Sequence, residues 1–158
     1  MDELRQRALR LLARREHARA ELRKKLAPHA ESEEQLDALL EDLAGRRLLS
    51  DTRYAEVRVS NRAARYGNAR LAQELRQQGI SAADAGEALA TAGDELLRAY
   101  GIWARKFGTL PTDASDRARQ TRFLMNRGFS GETVRRVLRG EPGESNQEIS
   151  TNEPDHEQ

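Results

Sequence analysis

The sequence predicts an all-α protein made of three tandem three-helix repeats, elongated and modular. Two observations carry this. Apolar residues recur throughout at helical spacing, and one piece of helix grammar returns at a fixed interval. Leu75-x-x-x-Gly79-Ile80-Ser81 superposes on Leu124-x-x-x-Gly128-Phe129-Ser130 with a shift of 49 residues. Each reads as a helix end, a glycine stop and a serine that caps the next helix. A weaker copy, Arg19 to Leu26, lies 53 residues before the central one. Three copies at near-equal spacing indicate stacked repeats.

The repeats divide the chain into modules at 1–49, 50–92 and 93–140, followed by an acidic tail, 141–158, with too little apolar matter to fold. The first helix covers residues 4–15 with Leu4, Ala8, Leu11 and Leu12 as its stripe. The second starts near His17, turns Ala18, Leu22 and Leu26 inward, and ends at Pro28. Ser32 and Gln35 form a capping box for the third, whose core face is Leu36, Leu39, Leu40 and Leu43 and whose stop is Gly45.

Ser50 or Asp51 caps the fourth helix, which runs to about Ala64 with Tyr54, Val57 and Asn61 along one side and Ala55 and Val59 flanking them. Gly67-Asn68 breaks it, both residues tolerating positive φ. The fifth helix carries Leu71 and Leu75, with Arg70 and Glu74 spaced for an ion pair. The sixth, residues 82–92, is alanine-rich and weakened by Gly86. Asp94 opens the seventh, where Leu96, Leu97, Tyr100, Trp103, Ala104 and Phe107 recur. Asp113 or Ser115 caps the eighth, and Ser130 the ninth, with Val134, Val137 and Leu138 inward. By spacing, Trp103, Phe107, Phe123 and Phe129 are core residues.

Composition narrows the function. Cysteine is absent, which removes disulfides and thiolate chemistry. No apolar run has the length of a signal peptide or a membrane span, so a soluble cytoplasmic protein is expected. A monomer is expected as well. The net charge of +1 conceals a division. Six acids and no Lys or Arg occupy 141–158, leaving the preceding residues at +7. A basic body of this kind suits nucleic acid or an acidic protein surface.

Two basic clusters are candidate contact residues. Arg14, Arg15, Arg19, Arg23, Lys24 and Lys25 crowd the first, where an ordinary solvated face is an equal alternative. Arg58, Arg62 and Arg65 form one helical stripe with no acid inside the row, continued by Arg70 and Arg76. Tyr66 either stacks on a base or packs between repeats, as aromatics before a glycine turn do. Arg135, Arg136 and Arg139 make a third patch at a helix C-terminus, where cations also complement the dipole. His17, His29 and His156 are scattered, so no metal is assigned, and neither a phosphate loop nor a nucleophile–base pair marks an enzyme or a cofactor.

Four segments together resemble the RecX family, regulators of the bacterial RecA recombinase. They are Leu12 to Leu22, Leu48 to Glu56, Tyr66-Gly67 through Gly79-Ile80, and Phe123 to Ser130 with Val134 to Leu138. The third is the most specific. It departs only at Asn68, where the family commonly has proline. The resemblance spans about residues 4–139 and leaves the tail outside. It implies three repeats of three helices, binding in the groove of the RecA–single-stranded DNA filament, and inhibition of strand exchange, ATP hydrolysis and coprotease activity, with effects on DNA repair and the SOS response. It implies no enzymatic activity.

Two other classes compete: a helix-turn-helix DNA-binding protein and a helical-repeat scaffold with no nucleic-acid role. Against the first, the recognition helix of the first module would carry Glu33, Glu34, Asp37, Glu41 and Asp42, which phosphate repels. If the tail shields the basic body, deleting 141–158 raises affinity for free DNA. An unchanged dissociation constant in a filter-binding titration counts against that role.

Overall fold

The computed structural model describes residues 3–141. Among them are nine α-helices: α1 Glu3–Arg14, α2 Arg19–Leu26, α3 Glu33–Gly45, α4 Asp51–Arg62, α5 Asn68–Gln77, α6 Ala82–Ala90, α7 Glu95–Lys106, α8 Ala114–Asn126 and α9 Gly131–Leu138. The predicted all-α order is therefore present, while the acidic tail beyond Glu141 lies outside the described residues.

Helix starts follow the serine and aspartate signals. Ser32, Ser81 and Ser130 accept hydrogen bonds from the backbone N–H of Gln35, Asp84 and Thr133, each at 3.1 Å. Two ambiguous starts resolve. Ser50 accepts from Arg53 N–H at 3.2 Å and so caps α4, while Asp51 accepts from Arg19 N–H at 2.7 Å, at the start of α2. Asp113, not Ser115, caps α8 through Asp116 N–H at 2.7 Å.

The repeated joints are superimposable in their bonding. Ile80 N–H reaches back to Leu75 C=O at 3.1 Å, and Phe129 N–H to Leu124 C=O at 3.3 Å. Gly79 and Gly128 sit at φ +76° and +90°, the left-handed region that glycine enters without steric cost. The first module departs from this pattern. A 3-10 turn over Ala27–His29 holds Pro28, and Ala30 is extended, so Ser32 keeps the cap without any glycine stop.

Other expectations are corrected. Gly45 is the last residue of α3, and the left-handed residue of that turn is Arg47 at φ 61°. On α4 the buried face is Tyr54, Ala55 and Val59, while Val57 is 46% exposed. Val57 follows Ala55 by two positions, which turns it about 200° around the helix, away from the core. Asn61 is exposed too. On α7 the buried set is Leu96, Ala99, Ile102 and Trp103, whereas Tyr100 and Ala104 are exposed and Leu97 and Phe107 are only half-buried.

The described residues divide into two compact units, 3–61 with Ala72–Thr91, and Arg62–Leu71 with 92–141. The first contains a leucine core from α1, α2 and α3: Leu4, Leu22, Leu26, Leu36, Leu40 and Leu43, with Leu49 beyond. The second packs Leu96, Ile102, Trp103, Leu124, Phe129 and Val134 from α7, α8 and α9. There Trp103 donates to Gln120 at 2.7 Å, and Gln120 donates to Thr109 C=O at 3.1 Å, so the buried amide is satisfied at both ends.

Gly67 has a different reason from the one its sequence suggests. It is absent from the positive-φ residues. A side chain there would collide with the backbone of Gly128 and Phe129, and Gly67 N–H donates to Arg127 C=O at 2.7 Å. Glycine is needed for close approach. Gly67→Ala should therefore cost about 3 kcal/mol, the upper end of ordinary overpacking, because backbone cannot step aside. Urea unfolding measures this, and a loss below about 1 kcal/mol contradicts the packing argument.

Candidate functional site: the arginine clusters

Most of the first basic cluster is matched by acids. Its acids come from α3 and from α2 itself. Arg19 pairs with Glu41 at 3.3 Å, Arg23 with Asp37, and Arg15 with Glu21 at 2.6 Å. Lys25 lies 3.8 Å from Glu21. The acidic row of α3 thus faces the basic row of α2, and Lys24 stands exposed beside them. Such surface pairs contribute little stability, roughly 0–1 kcal/mol each, but they spend the charge locally. Burial alone would raise the Glu21 carboxyl. The Arg15 hydrogen bond and the charges of Arg15 and Lys25 outweigh it and hold Glu21 below the usual carboxylate range.

His17 anchors this segment, at 1% exposure. Lys25 Nζ lies 3.0 Å from Nε2, and an ammonium can only donate, so Nε2 accepts. The proton is therefore on Nδ1, which donates to Arg15 C=O at 3.1 Å. Burial, then the charges of Arg15 and Lys25, depress the imidazole below its usual value, against the opposing pull of the Arg15 carbonyl and Glu21.

The predicted stripe is not one helical row: α4 ends at Arg62, which leaves Arg65 in the turn that follows. The row is also modified from the neighbouring helix. Arg58 pairs with Glu74 of α5 at 3.6 Å, so an acid outside the row meets it. Arg62 and Arg70 instead lie against Tyr66, their guanidinium carbons 4.5 and 4.0 Å from the ring centroid. Arg127, at the C-terminal cap of α8, adds a third cation at 5.7 Å. Tyr66 is half-buried within this cage. Arg65 and Arg76 are exposed.

One residue that the sequence reading passed over holds the cage in place. Arg98 of α7 is half-buried and donates to Tyr66 C=O at 2.6 Å, Asn68 Oδ1 at 2.7 Å and Ala63 C=O at 3.0 Å. Ala63 and Tyr66 lie in the turn between α4 and α5 and Asn68 opens α5, so one planar fork sets that turn's shape. Burial lowers the Arg98 guanidinium from its usual value, partly offset by Glu95. Arg127 was missed as well. Its position just before the Gly128 stop was visible in the sequence, but its approach to Tyr66 follows from the Gly67–Gly128 contact. In the third patch, Arg136 and Arg139 meet Glu141 at 2.7 and 3.0 Å.

Among the described residues no His, Cys, Asp or Glu grouping could hold a metal ion, and no helix is long and apolar enough to cross a membrane.

Comparison with known proteins identifies relatives of the chain as a whole. Residues 50–89 match the family domain described as RecX, second three-helix domain, and residues 94–138 match RecX, third three-helix domain. The Regulatory protein RecX of Leptothrix cholodnii is 52% identical over 139 residues, covering 86% of this chain and 87% of that protein. Its counterpart from Ralstonia nicotianae is 50% identical over 138 residues, 87% of each chain. The crystal structure of RecX from Lactobacillus salivarius has the same fold, with a TM-score of 0.77 at 19% identity over 88% of this chain and 94% of that one.

The His17 geometry has a pH consequence. The unfolded chain binds the proton more readily, so stability is fully present above about pH 6.5 and falls as the pH drops through the depressed folded value. Thermal melts from pH 7.5 downward should show this loss, and His17→Gln should flatten it. An identical slope in that variant removes His17 as the cause.

Proposed function

The chain belongs to the RecX family, and from that premise we propose that it regulates a RecA recombinase by binding it and its filament on single-stranded DNA. In this reading it is a non-catalytic, monomeric cytoplasmic protein that needs no cofactor. It inhibits strand exchange, ATP hydrolysis and coprotease activity, and so moderates DNA repair and the SOS response. The observation that carries the reading is identity of about half to proteins named regulatory, across 87% of the chain. The three-module division at 1–49, 50–92 and 93–140 belongs to the same proposal.

The surface supports it. Arg62, Arg65 and Arg70, with Tyr66 among them, offer guanidinium forks that suit phosphates or carboxylates. Arg58 shares its charge with Glu74. Arg15, Arg19, Arg23 and Lys25 can exchange their present acids for an anionic partner at small cost, because exposed pairs are weak. Lys24 and Arg76 would add long-range attraction.

Steady-state ATP hydrolysis by the cognate RecA on single-stranded DNA, measured while this protein is titrated in, tests the proposal. Hydrolysis should fall. Unchanged hydrolysis in the presence of the folded protein overturns the reading and leaves a helical-repeat scaffold. Neutralising the stripe as Arg58→Gln, Arg62→Gln and Arg65→Gln should raise the half-inhibitory concentration about tenfold, the effect of losing roughly one charged hydrogen bond. Circular dichroism on the same variant checks that helicity is native. Equal inhibition by such a variant removes the stripe from the contact.

A further inference from the structure

Within the second compact unit, the C-terminal turn of α7 and the end of α8 leave a cavity of about 360 Å³. Four cations line it: Arg65 from the turn after α4, Arg105 and Lys106 from α7, and Arg127 from the cap of α8. Its apolar wall is Phe123 and Ile102. Helix C-termini favour cations, which explains one or two of these charges. It does not explain four around one space. Among the described residues no carboxylate lies at ion-pair distance from any of them, unlike the acid-matched arginines of α2. Arg105 makes only a long 3.5 Å bond to Ala64 C=O.

The wall has its own character. Phe123 is half-buried, packed edge-on against Phe107 at 5.4 Å, with Arg127 and Lys106 at 5.2 and 5.5 Å from its centroid. Arg127 also reaches Tyr66, so rings and guanidinium planes alternate from Tyr66 through Arg127 to Phe123. An occupant must therefore bring concentrated negative charge and a flat apolar face together. An acidic polypeptide supplies the charge without the face. A duplex supplies the charge with its base faces already stacked. A nucleotide of a single strand supplies both, its phosphate meeting the cations and its base lying on the ring or the guanidinium plane.

We propose that this cavity is a single-strand nucleic-acid site, in which Arg65, Arg105, Lys106 and Arg127 hold backbone phosphate and Phe123 with Arg127 stacks a base. The assignment deepens the proposed function, since it rests on that reading for which strand is met in the cell. The binding itself does not depend on a recombinase, so it is tested without one.

The experiment is fluorescence anisotropy of a labelled oligodeoxythymidylate, and of an abasic oligonucleotide of equal length, with the full chain over a series of salt concentrations. The wild-type protein should prefer the thymidylate strand about tenfold, the effect of stacking roughly one base. Arg105→Gln with Lys106→Gln changes two exposed side chains and should weaken both probes. It should also lower the salt slope by about 1.4, or roughly 0.7 for each lost phosphate contact. Phe123→Leu should abolish the preference for bases and leave the slope unchanged. Arg7→Gln with Arg10→Gln removes the same charge elsewhere and should leave binding within twofold.

A wild-type slope and affinity in the Arg105, Lys106 variant overturn the site. So does equal binding of both probes by the wild type. Polyglutamate binding that disappears in the same variant while oligonucleotide binding persists assigns the cavity to an acidic polypeptide instead. If RecA hydrolysis is not inhibited but these oligonucleotide results hold, the regulatory reading fails and the site stands.

Discussion

The backbone contact between Gly67 and Gly128 is the constraint on which the arginine–aromatic surface depends. Only without side chains at both positions can the turn after α4 reach the end of α8, where Gly67 N–H meets Arg127 C=O. That single bond sets Tyr66 and Arg127 beside each other, although 61 positions separate them in the chain. Arg98 then fixes the same turn from α7 through three acceptors. A rigid turn holds the Tyr66 ring where guanidinium groups can cover it. The chemistry of the surface is thus inherited from two glycines that carry none.

Charge is handled differently in the two compact units. In the first, α2 and α3 set arginines against acids, and the segment that looked most basic in sequence is largely neutralised. The second unit leaves Arg65, Arg105, Lys106 and Arg127 around an acid-free space. A count of basic residues along the chain ranks these regions the other way round. What matters for an anionic partner is how many charges remain unmatched once helices have packed, since a matched pair exerts little field beyond its neighbourhood.

Much of the fold was legible because its signals are local. The leucine–glycine–serine joint needs only one helix end and the next helix start, so Leu75 to Ser81 and Leu124 to Ser130 could be read and aligned directly. The same locality explains the errors. Gly45 looked like a stop, yet Arg47 takes the left-handed position, because the turn was completed by a residue whose propensity gives no hint of it. Val57 looked like part of a stripe, but periodicity alone does not say which of two adjacent faces the neighbouring helices cover. The first module's joint has the serine without the glycine, so the sequence offers only a weaker copy there.

By itself the sequence determined the helices, most of their caps, the serine joints and the family, since each is written in residues close together or in their order. Tertiary structure decided which cations are spent and which remain. It also decided why Gly67 is glycine and what surrounds Tyr66 and Phe123. Those outcomes turn on distances between residues of different helices. Hydrogen bonds, ion pairs and ring contacts act over a few ångströms, and spacing along the chain does not encode such distances until the helices have packed.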